Sequence, residues 1–314
     1  MTDDSPLKEL LAGGGFRFQP LKIAGIDNEP IFRLNEPEMA QQEICLFHDG
    51  VASGDEYAAR LHGLIEQAMT DRKALPVVRF ADGEYAFYRE SLHCNGLYKQ
   101  AESVAAIKEA LPRHIDHMRI LAATGLLAPL VHPGNSQPRK KGLLSLFRKD
   151  RGEGTALSFL DFLRKNGIAL TGLNYIPFYV VYAYLATPVF RRAMNNRRIC
   201  IATSDFDEQS CLRWFAEADS APELIHIPIP ESCVATRWES MAPDILARLP
   251  GNCDLCLVGA GIGSLGVCVD AAQARHIPAI DGGHVLNMMN GRVDKSAGPR
   301  LYTLRREAAA SHDD

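Results

Sequence analysis

The chain has 314 residues, with 34 Lys and Arg against 38 Asp and Glu and a formal charge of −4, which excludes a general nucleic-acid binder with its basic face. Its 46% hydrophobic and 23% charged residues describe a globular protein with enough apolar mass for a sizeable core, and no apolar run reaches the ~18 residues needed to span a bilayer. The start Met1-Thr2-Asp3-Asp4-Ser5 lacks the basic-then-apolar order of a secretory signal, so a cytoplasmic location is the expectation.

Residues 1–50, with Gly13-Gly14-Gly15 and scattered Pro20, Pro30 and Pro37, form a loosely organised lead-in with short strands. Leu61, Leu64, Ile65 and Met69 recur at helical spacing and predict a helix over 54–72, capped by Ser53 or Asp55. The run Leu75 to Phe80 predicts a short buried strand, followed by a helix from Tyr85 to Leu92 and another over 100–111 that ends at Pro112. Arg119 to Ala123 is expected as the next strand. Residues 133–154 are loop chemistry, and within them basic residues from Arg139 to Arg151 flank the apolar patch Leu143 to Phe147. This insertion is expected as a loop or lid, with peripheral membrane contact through 139–151 as the alternative.

A helix over Leu157 to Leu163 follows, then a strand at Ile168 to Leu170 and an apolar helix from Phe178 to Phe190 whose tyrosines belong to the core. The second half alternates plainly. Strands are expected at Arg198 to Ala202, Leu224 to Ile229, Leu255 to Gly259 and Ala279-Ile280, with helices at Asp207 to Glu217, Arg237 to Leu249 and Ser264 to Ala274. Such alternation predicts an α/β fold with a mostly parallel, Rossmann-like sheet covered by helices on both faces. Residues 51–300 form one domain and 301–314 a tail. Cys200, Cys253, Cys256 and Cys268 lie in apolar runs and are expected as reduced core residues, the CxxC at Cys253-Asp254-Leu255-Cys256 included.

Three segments carry chemistry. Asp82-Gly83-Glu84 ends the first buried strand, where open α/β sheets place their ligand crevice. On an extended segment its two carboxylates leave on one face and offer hard oxygens to Mg²⁺ or Mn²⁺, while Gly83 leaves room for a phosphate or sugar. Arg79 stands ready to pair with phosphate or to orient those carboxylates. The second segment, Gly261-Ile262-Gly263-Ser264-Leu265-Gly266, follows a strand and opens a helix. With Gly259 it offers backbone N–H groups to a phosphate, and its form also matches a dinucleotide fingerprint with Asp281 about 20 residues on. An NAD(P)-dependent oxidoreductase and a non-enzymatic nucleotide-binding module are therefore the competing readings. The third segment, Asp281-Gly282-Gly283-His284, ends the last strand and supplies candidate acid–base groups. Thr203-Ser204-Asp205 closes another strand, where Thr203 and Asp205 are placed to contact nucleotide or acceptor.

Arg79-Phe80-Ala81-Asp82-Gly83-Glu84, Leu257-Val258-Gly259-Ala260-Gly261 and Ala279-Ile280-Asp281-Gly282-Gly283-His284 occur in that order. The arrangement resembles the GT-D-type bacterial glycosyltransferases, with their R-F-G-D-G-E-like segment and late D-x-G-H-like motif. Ala81 stands where that family has glycine. The resemblance implies a GT-D-like fold and a metal-dependent hexosyltransferase. It implies that Asp82 and Glu84 form the D-x-E pair acting through Mn²⁺ or Mg²⁺ on the diphosphate of a nucleotide sugar, a UDP-sugar first. A base, where one is required, would be His284, Asp281 or Asp205. The acceptor would be a glycan, glycoprotein or lipid-linked sugar.

Overall fold

The computed structural model describes residues 15–24, 44–92, 100–136 and 155–291, together with Leu7 and Leu10. The basic part of the 133–154 insertion and the 301–314 tail lie outside them, as does the expected membrane contact through 139–151.

The chain opens with β1 (Phe16–Pro20) and β2 (Ile44–His48), an antiparallel pair. Helix α1 (Gly54–Asp71) follows, its Ser53 hydroxyl accepting from the Glu56 amide at 3.2 Å and its end set by Arg72 in the left-handed region. Strand β3 (Leu75–Phe80) is buried at every position, as a strand covered on both faces must be. Next come α2 (Asp82–Phe87), α3 (Val104–Thr124), β4 (Leu126–Pro129), α4 (Ala156–Lys165), α5 (Phe178–Ala186) and α6 (Pro188–Ala193). The second half runs β5 (Arg198–Thr203), α7 (Glu208–Ala216), β6 (Glu223–Pro228), α8 (Val234–Ala247), β7 (Leu255–Gly259), a 3₁₀ turn (Gly261–Gly263), α9 (Ser264–Arg275), β8 (Pro278–Asp281) and α10 (His284–Met289).

The central sheet has six strands in the order β4-β3-β8-β7-β5-β6, and its pairings are parallel. Helices α3, α8 and α9 pack together on one face, and α1, α5 and α10 on the other. The α/β class with helices on both faces is thus the observed one. One apolar cluster joins the β1–β2 ribbon to this core. Phe16 meets Tyr175 edge-on at 5.2 Å, and Tyr175 donates its hydroxyl to the Leu46 carbonyl at 2.5 Å.

Five local expectations are corrected. Pro112 does not end a helix but lies inside α3, whose Ile107, His114, His117, Met118 and Leu121 are buried on one side. Burial of that stripe outweighs the ~3 kcal/mol an internal proline costs, and Arg119 to Ala123 is therefore helix, not strand. The strand comes after Gly125, where a side chain would strike the Pro76 carbonyl. The helix expected over Phe178 to Phe190 is two, because Pro188 holds Thr187 extended and the Thr187 hydroxyl then caps α6 through the Phe190 amide at 3.2 Å. Ile168 to Leu170 forms no strand. The chain turns at Thr171 to Asn174, where the Asn174 side chain accepts from the Thr171 amide at 2.8 Å. The helix expected at Tyr85 starts earlier, at Asp82.

The described cysteines are free, and Cys45, Cys200, Cys211, Cys253, Cys256 and Cys268 are buried. Within the CxxC, the Cys253 thiol donates to the Leu255 carbonyl at 3.0 Å. Among the described residues, no helix is long and apolar enough to cross a membrane.

Candidate functional site

The strand order brings the three chemical segments together. β3, β8, β7 and β5 are consecutive neighbours, and their parallel registers put Phe80, Asp281, Gly259 and Thr203 on one edge. That edge is the C-terminal one, where α/β sheets bind ligands.

Arg79 and Asp281 form its buried centre. Arg79 Nη2 donates to Asp281 Oδ1 at 3.1 Å and Nε donates to the Asp281 carbonyl at 3.0 Å. The guanidinium also lies 3.9 Å from the centre of the Tyr182 ring and 5.1 Å from that of Phe178. Both charged side chains are nearly inaccessible, at 5% and 8% exposed. Burial opposes the Arg79 charge, but Asp281 more than restores it and the group is held further into its cationic range. Gly283 makes this possible: its φ is +43°, and a Cβ there would strike Arg79 Nη2. Arg79 thus serves as the partner of Asp281, not of the Asp82 and Glu84 carboxylates. Its Nη1 is buried without a hydrogen-bond partner among the described residues.

Asp82 and Glu84 do not leave an extended segment. They occupy the first turn of α2, where residues two apart point in divergent directions at about 100° per residue. Asp82 is exposed, while Glu84 is half-buried and folds back to accept from the Ala81 amide at 2.8 Å. Burial pushes the Glu84 carboxyl up to about 7; the Ala81 and Glu84 amides and Arg79 act against this, and Asp281 adds to it. Gly83 borders Ile262 of the 3₁₀ turn at ordinary contact, 3.9 Å from an added Cβ, and remains open.

Whether a divalent cation fits follows from this donor set. Among the described residues, no group of three or more His, Cys, Asp or Glu side chains is arranged to hold a metal. A cage made by protein alone therefore does not fit. A Mg²⁺- or Mn²⁺-type ion carried on a diphosphate does, because it needs only one or two carboxylates beside phosphate oxygens and water. Exposed Asp82 is the group best placed for that, while Glu84 is turned back onto the Ala81 amide.

The glycine turn is more closed than its sequence implies. A Cβ at Gly263 would lie 2.5 Å from Val234 Cγ1 and 3.0 Å from the Ala235 amide nitrogen, and one at Gly266 would lie 2.5 Å from Trp238 Cδ1. These glycines let α8 approach α9. Ser264 is buried, its hydroxyl accepting from the Ala260 amide at 3.3 Å, and the Gly263 amide donates to the Ala260 carbonyl at 3.1 Å. Gly259 lies under α10, with Leu286 Cδ1 2.6 Å from an added Cβ. An open N–H cradle for a phosphate or for NAD(P) is absent at Gly263 and Ser264. Gly261 is exposed, at a φ of +54° and against the Gln100 amide. Replacing Gly263 by alanine should cost about 1–3 kcal/mol by overpacking, read as a lower urea midpoint at unchanged m-value. Unchanged stability with weakened nucleotide binding would instead restore the phosphate role.

Thr203 is buried and its hydroxyl accepts from the Asp205 amide at 3.4 Å, so it shapes the loop from within. His284 begins α10, half-buried, with Nδ1 3.1 Å from the Tyr182 hydroxyl. Two residues at this edge carry no sequence signal. Asn290 holds the β5–α7 loop by donating to the Asp205 carbonyl and accepting from the Asp207 amide, both at 2.9 Å. Tyr182 joins Arg79 to His284; only its place in an aromatic run of α5 drew notice in the sequence, as core.

No family model and no curated protein matches the chain. Among solved structures it is similar to a chain described as the selenomethionine-substituted structure of domain of unknown function 1792. The match has 15% sequence identity and a TM-score of 0.40, over 80% of this chain and 92% of that one.

Proposed function

We propose that the chain is a glycosyltransferase that moves a sugar from a nucleoside diphosphate sugar, a UDP-sugar first, to a glycan, glycoprotein or lipid-linked acceptor. The observation that carries this reading is the convergence of Asp82, Gly83, Glu84, Asp281 and His284 on the C-terminal edge of adjacent parallel strands. The resemblance of the Arg79 to Glu84 and Ala279 to His284 segments to GT-D-type enzymes supports it.

In this reading Asp82, with Glu84, would hold a Mn²⁺ or Mg²⁺ ion beside the donor diphosphate, and that ion would supply positive charge against the charge that builds on the leaving group. The protein's own part is positional. Gly83 and Gly261 keep side chains away from the donor, Arg79 and Asp281 fix the end of β8, and His284 and Asp205 face the reacting groups from the two sides. Asp281 is already bonded to Arg79 and acts as an anchor, leaving proton transfer from the acceptor to His284 or Asp205.

The test is turnover of a UDP-sugar panel with Mn²⁺, followed by Asp82→Ala. Activity should fall at least about 100-fold, the scale of losing one group that stabilises transition-state charge, while far-UV circular dichroism and the unfolding midpoint stay put. Full activity in Asp82→Ala removes the assignment.

A further inference from the structure

We propose that His114 is a positioning residue that sets the spacing between α2, which carries Asp82 and Glu84, and the glycine turn after β7, through one hydrogen bond on each side of its ring. That a donor diphosphate fills this space rests on the proposed function; the brace itself does not.

His114 lies in α3, 5% exposed, and both of its nitrogens are bonded. Nε2 is 2.8 Å from the Ala235 carbonyl and Nδ1 is 3.0 Å from the Tyr88 hydroxyl. A carbonyl oxygen only accepts, so Nε2 carries the proton. Nδ1 is then the acceptor of the neutral ring, and Tyr88 donates to it. Burial drives the pKa of His114 down to about 4; the Ala235 bond opposes this and His117 adds to it. The ring therefore stays neutral near pH 7, and both bonds keep their direction.

The two partners belong to opposite walls of the candidate site. Tyr88 closes α2, whose first turn holds Asp82, Gly83 and Glu84. Phe87 and Tyr88 also lay their rings against the imidazole, with centroids 4.8 Å and 5.8 Å away. Ala235 lies in the first turn of α8, which is pressed onto the glycine turn: a Cβ at Gly263 would lie 2.5 Å from Val234 Cγ1 and 3.0 Å from the Ala235 amide nitrogen. Ile262 then returns to α2, 3.9 Å from a Cβ added at Gly83. The circuit from α2 through His114, α8, Gly263 and Ile262 back to Gly83 is closed. A hydrogen bond has a narrow length and direction where apolar contact has neither, so the imidazole is the member that meters the width of this circuit. In the proposed reading the donor diphosphate lies between Asp82 and Gly261, and the width decides how well carboxylate and donor share one ion. Outer partners of this kind typically change metal affinity by about 10- to 100-fold.

The test compares two full-length variants. Tyr88→Phe removes the donor to Nδ1 and keeps the ring. Tyr175→Phe removes another buried hydroxyl bond, to the Leu46 carbonyl on the β1–β2 ribbon. Both should lower the urea midpoint, but only Tyr88→Phe should act on the site. Long-range ¹H–¹⁵N spectra near pH 7 should show native His114 as the Nε2–H form. The backbone amide resonances of Gly83 and Ile262 should move in Tyr88→Phe and stay put in Tyr175→Phe. Calorimetric affinity of the folded chain for UDP with Mn²⁺ should fall about 10-fold in Tyr88→Phe and remain unchanged in Tyr175→Phe. An Nδ1–H form of native His114, or Gly83 and Ile262 resonances unmoved by Tyr88→Phe, would overturn the proposal. Equal affinity in native protein and Tyr88→Phe, or a like loss in Tyr175→Phe, would overturn it as well. Native protein that passes both spectral readings yet binds no UDP with Mn²⁺ supports the brace and refutes the nucleotide-sugar reading alone.

Discussion

Arg79→Met should lower the free energy of unfolding by about 3–5 kcal/mol, because it leaves Asp281 charged in a place that water barely reaches. The methionine replaces the length of the arginine stem but none of its N–H donors. Asp281 Oδ1 then loses the 3.1 Å bond from Nη2, and the Asp281 carbonyl loses the 3.0 Å bond from Nε. Tyr182 and Phe178 lose the cation on their faces as well. A loss of this size is a large part of the ~5–15 kcal/mol that holds a typical domain together. The check is urea unfolding of Arg79→Met beside the double variant Arg79→Met/Asp281→Leu. The double variant should be the more stable of the two, because it removes the stranded charge together with its partner. Equal losses would mean that the arginine stabilises by packing alone. A cost below about 1 kcal/mol in the single variant would mean that the pair is solvated.

The contrast between Arg79 and Asp82-Gly83-Glu84 marks how far the sequence could be read. The alternation from β5 to β8 was legible because each strand is a short apolar run, and of the helices between them α7 and α8 are amphipathic while α9 is small and apolar on nearly every side. Once those strands are parallel, their ends share an edge, so the meeting of Asp281 with the end of β3 followed from fold class. The pairing of Arg79 with Asp281 did not, because it spans 202 residues and depends on β8 lying beside β3. Tyr182 and Asn290 were hidden for the same reason: each works through partners distant in sequence. Pro112 misled because a local rule met a buried helical face that outweighed it. The glycines at 263 and 266 misled in another way. A glycine admits either a phosphate or a neighbouring helix, and only the place of Val234 and Trp238 decides which. At Glu84 the local signal is that of a helix start, not of an extended carboxylate pair. A carboxylate three residues after the start of a helix folds back onto the backbone, and here it does so onto the Ala81 amide.

Half-buried and back-folded, with its carboxyl desolvated, Glu84 should make the protein's stability fall as pH rises through neutrality, and Glu84→Gln should abolish the effect. Its carboxyl lies at about 7 in the folded chain, against 4.5 for the free group, chiefly through burial. The folded state therefore holds a proton that the unfolded state has released between those values. Stability rises with pH only where the unfolded chain binds more protons; here the folded chain does, so the sign is negative. The contribution is complete below about pH 4.5 and is lost as pH climbs through about 7. At about 1.4 kcal/mol per unit, the full swing is on the order of 3 kcal/mol. Glutamine keeps the length and the capping acceptor but cannot titrate, so Glu84→Gln should match native stability at pH 5 and exceed it at pH 8. Urea midpoints at the two pH values read this directly, and parallel curves for the two proteins would sink it. The same titration bears on the cation. A divalent ion that takes Glu84 as a ligand must displace its proton. Adding UDP with Mn²⁺ near pH 6 should then release protons from native protein, read by calorimetry in buffers of different ionisation enthalpy, and fewer from Glu84→Gln. Equal release from both would place the ion on Asp82 alone and leave Glu84 as the cap of α2.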